Sequence, residues 1–308
     1  MTSLSTLTPF IDQAWVDHAD QADAVAARFP SWVDELLAAP ALPDEVPALA
    51  RLIAHVCGEH LALWQAGVDL ILRLDDRAAA LGDGRHRSVL ARHVAALRLG
   101  AGDDQAAAAL PVPEQVAALA QASVALAGQT AWPRAIALYR QALALAGSCW
   151  GSARGAGDDG AAGVRALAVG GNNLASALEE RGDLDLHHTQ AMLEAAHAAL
   201  EYWRVAGGWL EEERALYTLA RCCLRAGYDA AAVAAAQACV DICQARQAPA
   251  FEHFFGQAVL ALGQRAAGHT AAFEQARDAA LAAYATLAAD EQPWCRRELG
   301  ELGATATP

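Results

Sequence analysis

The chain contains no lysine: all 22 of its basic residues are arginine, against 36 acidic residues and a formal net charge of −14. Proteins that follow a nucleic acid backbone usually concentrate positive charge on one surface. Six arginines do fall close together between Arg73 and Arg98, and a solvated helix face is the simpler interpretation of that cluster. The composition therefore argues against nucleic acid as a partner.

The sequence also has no long apolar run and no β-type alternation. No stretch approaches the roughly 20 apolar residues of a membrane-spanning helix. The N-terminal MTSLSTLTPF has neither the basic nor the apolar region of a secretory signal. Valine, isoleucine, threonine and aromatic residues do not alternate with polar ones as in a half-buried strand. We therefore expect a cytoplasmic protein without a membrane partner and without a sheet.

What the sequence does contain is an alternation of helical segments and turn residues. Hydrophobic residues make up 55% of the chain, many of them alanine and leucine, while 24 glycines and 11 prolines fall mostly between periodic segments. An apolar stripe over 49–56, a break at Gly58 and a second stripe over 61–74 predict a helix, a tight turn and a returning helix. The predicted fold class is all-α.

A glycine-rich stretch, GSCWGSARGAGDDGAAG over 147–163, interrupts this pattern. It offers little apolar area to offset the entropy of ordering, so it predicts a flexible surface loop or linker. The expected organisation is an N-terminal helical lobe over 1–146, the linker over 147–163, and a C-terminal repeat lobe over 164–302.

Three segments of the C-terminal lobe can be aligned with one another. NNLASALEERGD, YTLARCCLRAGYD and AVLALGQRAAGHT each carry a leucine followed by an alanine, with a glycine seven residues after the alanine. A small alanine permits close helix approach, and glycine can adopt the left-handed turn conformation between helices. The aligned positions are Leu174, Leu219 and Leu260, then Ala175, Ala220 and Ala261, then Gly182, Gly227 and Gly268.

This pattern resembles the tetratricopeptide repeat (TPR). The segment AIALYRQALAL over 135–145 resembles the returning helix of such a repeat, and the NNLA run over 172–175 is similar to that of the longer, kinesin-light-chain-like repeats. The resemblance covers 114–290 and, more loosely, 43–110. It implies an α-solenoid of antiparallel helix pairs, a TPR-like superhelix with a concave groove for a protein or peptide partner.

The resemblance also implies which residues face that groove. They come from the first helix of each pair, at the position before the repeated leucine and one turn to either side. The positions in this chain are Val169, Asn172, Asn173, Ser176, Arg214, Tyr217, Thr218, Arg221, Phe255 and Val259.

The chemistry of these groove positions suits a peptide. Asn173 can donate and accept hydrogen bonds at once, so it could clamp a peptide backbone. Arg214 and Arg221 offer forked donors that match a carboxylate. In the alternative, Asn173 caps or bridges neighbouring helices, and the arginines pair with the glutamates over 211–213.

Four cysteines form the main competing constellation. Cys239 and Cys243 share a helix face, with Cys222 and Cys223 on the facing helix, and four thiolates could bind zinc or copper(I). However, adjacent residues point about 100° apart on a helix, so Cys222 and Cys223 cannot easily face one ion. Reduced thiols in the core are the simpler interpretation, since cysteine is often buried and the odd total of seven does not suit a disulfide framework.

The other pairs of acidic and histidine residues give weaker indications of a metal or catalytic site. Glu194 with His197 lacks the second such motif that a di-iron site needs. His55 with Glu59, and the adjacent pair 187–188, are interpreted as surface or capping residues. No nucleophile elbow and no phosphate-binding glycine loop is present. We expect no catalytic activity and no cofactor.

The sequence therefore predicts a protein- or peptide-binding adaptor or scaffold that uses the concave face of a solenoid. A metal- or redox-responsive protein built on the four cysteines is the alternative. A self-assembling subunit, in which the chain forms a homo-oligomer, is a third, since the ends of a solenoid expose apolar surface unless they are capped.

Overall fold

The structure, a computed structural model, describes residues 7–303, and all regular secondary structure in that range is helical. The all-α prediction is confirmed. Within the described part of the chain, no helix combines the length and the apolar character that crossing a bilayer requires.

The chain divides into two compact units, with the boundary between Gly170 and Gly171. The first unit holds α1 (Leu7–Ala26), α2 (Phe29–Ala38), α3 (Val46–His55), α4 (Trp64–Ala80), α5 (Arg87–Ala101), α6 (Val112–Gly128) and α7 (Trp132–Trp150). The boundary falls inside α8 (Ala161–Glu179). The second unit continues with α9 (Leu186–Ala206), α10 (Trp209–Arg225), α11 (Asp229–Arg246), α12 (Ala250–Ala266), α13 (Thr270–Tyr284) and α14 (Arg296–Glu301).

The glycine-rich segment over 147–163 is largely helical, where the sequence predicted a loop. It contains the end of α7, two short 3-10 turns and the start of α8. Its glycines allow close packing on Trp150: a Cβ at Gly155 would lie 2.1 Å from the Trp150 carbonyl oxygen, and one at Gly163 would lie 2.5 Å from the indole ring. These glycines therefore permit close packing around a large aromatic side chain.

The first unit is built around the apolar stripes of its helices. Proline in the first turn begins α2, α3, α6 and α7, where its missing N–H costs nothing. Phe29, Leu36, Leu49, Ile53 and Leu74 are fully buried in one cluster. Burial of each such side chain contributes about 1.5–3 kcal/mol, so this cluster is a main source of the unit's stability.

A short π-helix, Val56–His60, continues α3 and alters the direction of its side chains. The N–H of Leu61 donates to the carbonyl of Val56, the wide hydrogen bond that defines such a turn. The Gln129 amide donates to the Glu59 carbonyl at 2.7 Å, and a Cβ on Gly128 would lie 2.8 Å from the same oxygen. The end of α6 therefore packs directly on the π-turn.

In the second unit, each helix from α9 to α12 packs against the next one along the chain, and α10 also packs against α12. The aligned leucines are buried, and the aligned alanines Ala175, Ala220 and Ala261 are fully buried. Gly227 and Gly268 have φ values of 76° and 77°, the left-handed conformation that glycine adopts without strain. The repeated leucines and alanines therefore serve helix contact, and Gly227 and Gly268, but not Gly182, take the left-handed conformation at a helix end.

The last described segment packs back onto earlier helices. A 3-10 turn, Gln292–Cys295, leads into α14, which packs against α12. Cys295, Leu299 and Leu302 are buried there. The C-terminal segment is thus part of the packed second unit.

Candidate functional site

Helices α8, α10 and α12 carry the ten predicted groove positions, and eight of these have polar or aromatic side chains suited to partner contact. Asn172, Asn173 and Ser176 lie on α8, and Phe255 lies on α12. The other four lie on α10 at spacings of three and four residues, which place side chains on one helix face: Arg214, Tyr217, Thr218 and Arg221.

A cavity of about 180 Å³ brings four of these residues together. They are Ser176, Tyr217, Thr218 and Arg221. Three further residues that the sequence did not indicate complete its lining: Glu179, Glu180 and Arg297.

Arg221 is the centre of a buried ion-pair network. Its side chain is 8% exposed and donates to Glu179 at 3.0 Å and to Glu301 at 2.9 Å. Arg297 donates to both oxygens of Glu179, at 2.7 and 2.8 Å. Burial opposes the charge on Arg221, but the hydrogen bond to Glu301 and the nearby carboxylates outweigh it and raise the pKa of Arg221. The Arg221 guanidinium therefore stays charged.

Glu301 responds to the same pairing in the opposite direction. Partial burial acts to raise the pKa of Glu301, and the hydrogen bond and charge of Arg221 outweigh that effect and lower it. The alternative in which the arginines pair with the glutamates over 211–213 does not describe Arg221, whose partners lie on α8 and α14.

Tyr217 connects the same face to α14. Its hydroxyl donates to Glu298 Oε1 at 2.6 Å, and its ring packs edge-on against Phe255 with centroids 5.6 Å apart. Burial, followed by the charge of Glu298, raises the pKa of Tyr217 well above its usual value. The phenol therefore stays protonated and acts as a donor.

The remaining predicted residues have separate environments. Arg214 is exposed and pairs with Glu252 at 2.5 Å. Asn173 is exposed, and Asn172 is half-buried with its Oδ1 atom lacking a hydrogen-bond partner. Neither asparagine lines the two cavities of this face. Val169 is 38% exposed and Val259 is fully buried.

A second, larger cavity of about 470 Å³ lies beside the first and shares four residues with it: Glu179, Glu180, Arg221 and Arg297. Five arginines and three glutamates supply its charged lining. They are Arg181, Arg221, Arg225, Arg265 and Arg297, with Glu179, Glu180 and Glu301. Arginine is therefore in excess in the lining of this cavity, although the chain as a whole is acidic and Arg181 is itself paired with Asp183 at 2.9 Å.

The four cysteines of the competing constellation do not converge on one point. Cys239 donates to Glu213 at 2.9 Å, with Cys243 close by, whereas the Cys222 thiol faces the carbonyl of Ala175 at 3.9 Å. A hydrogen bond with Cys243 and burial raise the pKa of Cys239, and burial raises that of Glu213 to about 7. These groups form a buried hydrogen-bonded cluster.

The first unit contains a cluster that the sequence did not indicate. His18, His55 and His60 place one ring nitrogen each within 4.8 Å of the others. The sequence pointed to His55 only in its pairing with Glu59, and that contact is present at 2.9 Å.

No protein-family model matches this chain, and no curated protein matches it significantly. Any function must therefore be argued from the residues of the two sites: the α8–α10–α12 face of the second unit and the histidine cluster of the first.

Proposed function

We propose that this protein is a binding adaptor of the TPR-like α-solenoid kind, whose α8–α10–α12 face takes up an acidic segment of a partner protein. One observation carries the proposal. The chain's own C-terminal helix already presents two glutamates to this face, Glu298 to Tyr217 and Glu301 to Arg221.

The solenoid arrangement is supported by the repeated positions. Leucine, alanine and glycine recur at the same places in three helix pairs, and the alanines are fully buried in each. Sequential antiparallel pairs that bury the same positions are the building principle of repeat proteins. The α8, α10 and α12 helices would then be the first helices of their pairs, which line the inner surface in such folds.

The charge of the face favours an acidic occupant. Five arginines against three glutamates line the larger cavity, and Arg181 already pairs with Asp183 at 2.9 Å. One arginine charge is then left for a bound carboxylate to balance. Arg225 and Arg265 are exposed at its rim and donate to backbone carbonyls: Arg225 to that of Arg181 at 2.9 Å, and Arg265 to that of Glu301 at 2.7 Å. A partner carboxylate is a stronger acceptor than a carbonyl, so both arginines are available for exchange.

The C-terminal helix would act as an internal competitor. Hydrogen bonds to charged groups contribute about 1.5–3 kcal/mol each, and the tether gives α14 a high effective concentration at the face. A partner segment must displace α14, so the affinity of the intact chain is held down until α14 is released.

The cellular context proposed for this adaptor is the cytoplasm. All seven cysteines are unpaired, and six of them are buried. Unpaired cysteines are typical of a reducing compartment.

A peptide in trans tests the proposal. A fluorescent peptide with the sequence of residues 290–303 is titrated into the full chain and into the Glu298→Gln/Glu301→Gln variant, which weakens the hold of α14. The variant should bind the peptide at least about tenfold more tightly, because two charged hydrogen bonds of the competitor are lost.

Two controls make the result specific. The Glu201→Gln/Glu274→Gln variant removes the same charge from exposed positions of α9 and α13 and should bind like wild type. A peptide with both glutamates replaced by glutamine should bind none of the proteins. If the peptide binds no protein, or all of them equally, the proposed binding face is wrong.

A further inference from the structure

Three imidazole rings in the first unit surround a common point. The ring centroids of His18 and His55 are 4.8 Å apart, those of His55 and His60 are 4.8 Å apart, and those of His18 and His60 are 5.0 Å apart. Each pair meets edge to face, so the rings form a nearly equilateral triangle. All three side chains are half-buried, which leaves a path from solvent.

In two of the three rings, the Nδ1 atom already contacts a hydrogen-bond acceptor. Nδ1 of His18 lies 2.8 Å from the carbonyl of Trp15, and Nδ1 of His55 lies 2.9 Å from Glu59 Oε2. Both partners are acceptors, so each Nδ1 carries the proton and each Nε2 keeps its lone pair. A carbonyl or carboxylate on the far nitrogen is the usual arrangement behind a histidine that binds a metal.

The spacing of the free nitrogens suits a small cation. The Nε2 atoms of His55 and His60 lie 3.1 Å apart. Zinc–nitrogen bonds of about 2.0–2.1 Å in tetrahedral geometry place two ligand atoms about 3.3–3.4 Å apart. A metal ion between these rings would need only a small side-chain adjustment, and the proton of the His60 ring would move to its Nδ1.

The backbone that presents His60 is fixed by its neighbours. The π-turn places His60 on the same side as His55, and single π-turns inside helices are frequent at functional sites. Gln129 and Gly128 of the α6 terminus hold the turn from behind.

We propose that His18, His55 and His60 bind a divalent transition-metal ion of the zinc type, with Glu59 orienting His55 and solvent completing the coordination. Three imidazoles are suited to zinc, and a three-ligand set leaves one position open. The site lies in the first unit and is independent of the acidic-segment proposal. The Glu213–Cys239–Cys243 cluster is the rival, and its complete burial, which gives a metal ion no path from solvent, favours it less.

Titration of the chelator-free full chain with Zn²⁺ against a chromophoric chelator, under reducing conditions, tests this site. One equivalent should bind, and Co²⁺ should give the visible bands of a tetrahedral nitrogen site without a sulfur-to-cobalt charge-transfer band. His60→Ala should weaken zinc binding by more than the roughly 10–100-fold that loss of an orienting partner causes, and Glu59→Gln by about tenfold.

The control is His187→Gln/His188→Gln, which removes an adjacent histidine pair at the start of α9 and should leave binding unchanged. Circular dichroism confirms that each variant keeps its helices. Binding that survives in His60→Ala and in Glu59→Gln, a sulfur charge-transfer band, or no stoichiometric binding would each overturn the assignment.

Discussion

Glu213 makes the stability of the second unit depend on pH in an unusual direction. Its side chain is almost fully buried, and that burial, with a smaller contribution from the charge of Glu252, raises its pKa from 4.5 to about 7. The hydrogen bond from Cys239 only partly offsets this. The folded state therefore binds the Glu213 proton more tightly than the unfolded state does.

The sign of this pH dependence follows from the linkage between proton binding and folding. Because the pKa of Glu213 is higher in the folded state than in the unfolded state, its contribution to stability is fully present below pH 4.5. That contribution is lost as pH rises through 7. A pKa shift of this size corresponds to about 3 kcal/mol in the free energy of unfolding, since one pKa unit is about 1.36 kcal/mol. Glu213→Gln keeps the size of the side chain and an acceptor for Cys239 but cannot ionise. The variant should match wild type near pH 4.5 and be more stable by up to about 3 kcal/mol at pH 8.

Urea unfolding followed by circular dichroism across pH 4.5–8 measures this difference. Glu201→Gln on exposed α9 is the control, and its difference from wild type should not change with pH. A Glu213→Gln effect that is the same at every pH would refute the reasoning, because it would show that Glu213 ionises alike in both states.

Two further substitutions test the packing of the units by thermal or urea unfolding. Gly128→Ala should destabilise by about 1–3 kcal/mol, because its Cβ would meet the Glu59 backbone, whereas Gly182→Ala enters open space and should change stability by less than about 0.5 kcal/mol. Arg221→Met should lower the free energy of unfolding by about 3 kcal/mol, because buried Glu179 loses one of its two arginine partners and Glu301 loses its hydrogen bonds from Arg221. The exposed Arg246→Met should cost less than about 0.5 kcal/mol, and an equal effect of both arginine variants would contradict the buried network.

The helical class and the contact positions of the repeats could be predicted from the sequence because they depend on local spacing. Leucine, alanine and glycine mark burial, close approach and helix ends at fixed offsets. The grouping of Ser176 with Tyr217 and Arg221 around one cavity also follows from their repeat positions. These features need only neighbouring residues or a repeated period.

The partners of Arg221 could not be predicted in the same way. Its ion pair with Glu301 joins residues 80 positions apart, and the Arg297–Glu179 pair joins residues 118 apart. No repeat or periodicity links such positions, since they meet only when the C-terminal helix packs back onto α8 and α10.

The histidine cluster was missed for a different reason. In an α-helix, residues five apart such as His55 and His60 point about 140° away from each other. The π-turn changes that angle and brings both rings together, and no sequence pattern at 56–60 indicates a π-turn. His18 lies on α1, 37 positions before His55, and its ring joins the same cluster.

The central claim is that an acidic segment and α14 compete for the α8–α10–α12 face. Hydrogen exchange of isotope-labelled full chain, with and without the unlabelled acidic peptide of residues 290–303, tests it most directly. Competition predicts faster exchange in Arg296–Glu301 when peptide is added, with the amides of α10 staying protected. Unchanged exchange in that helix at saturating peptide would contradict the claim, because the peptide would then bind elsewhere or not at all.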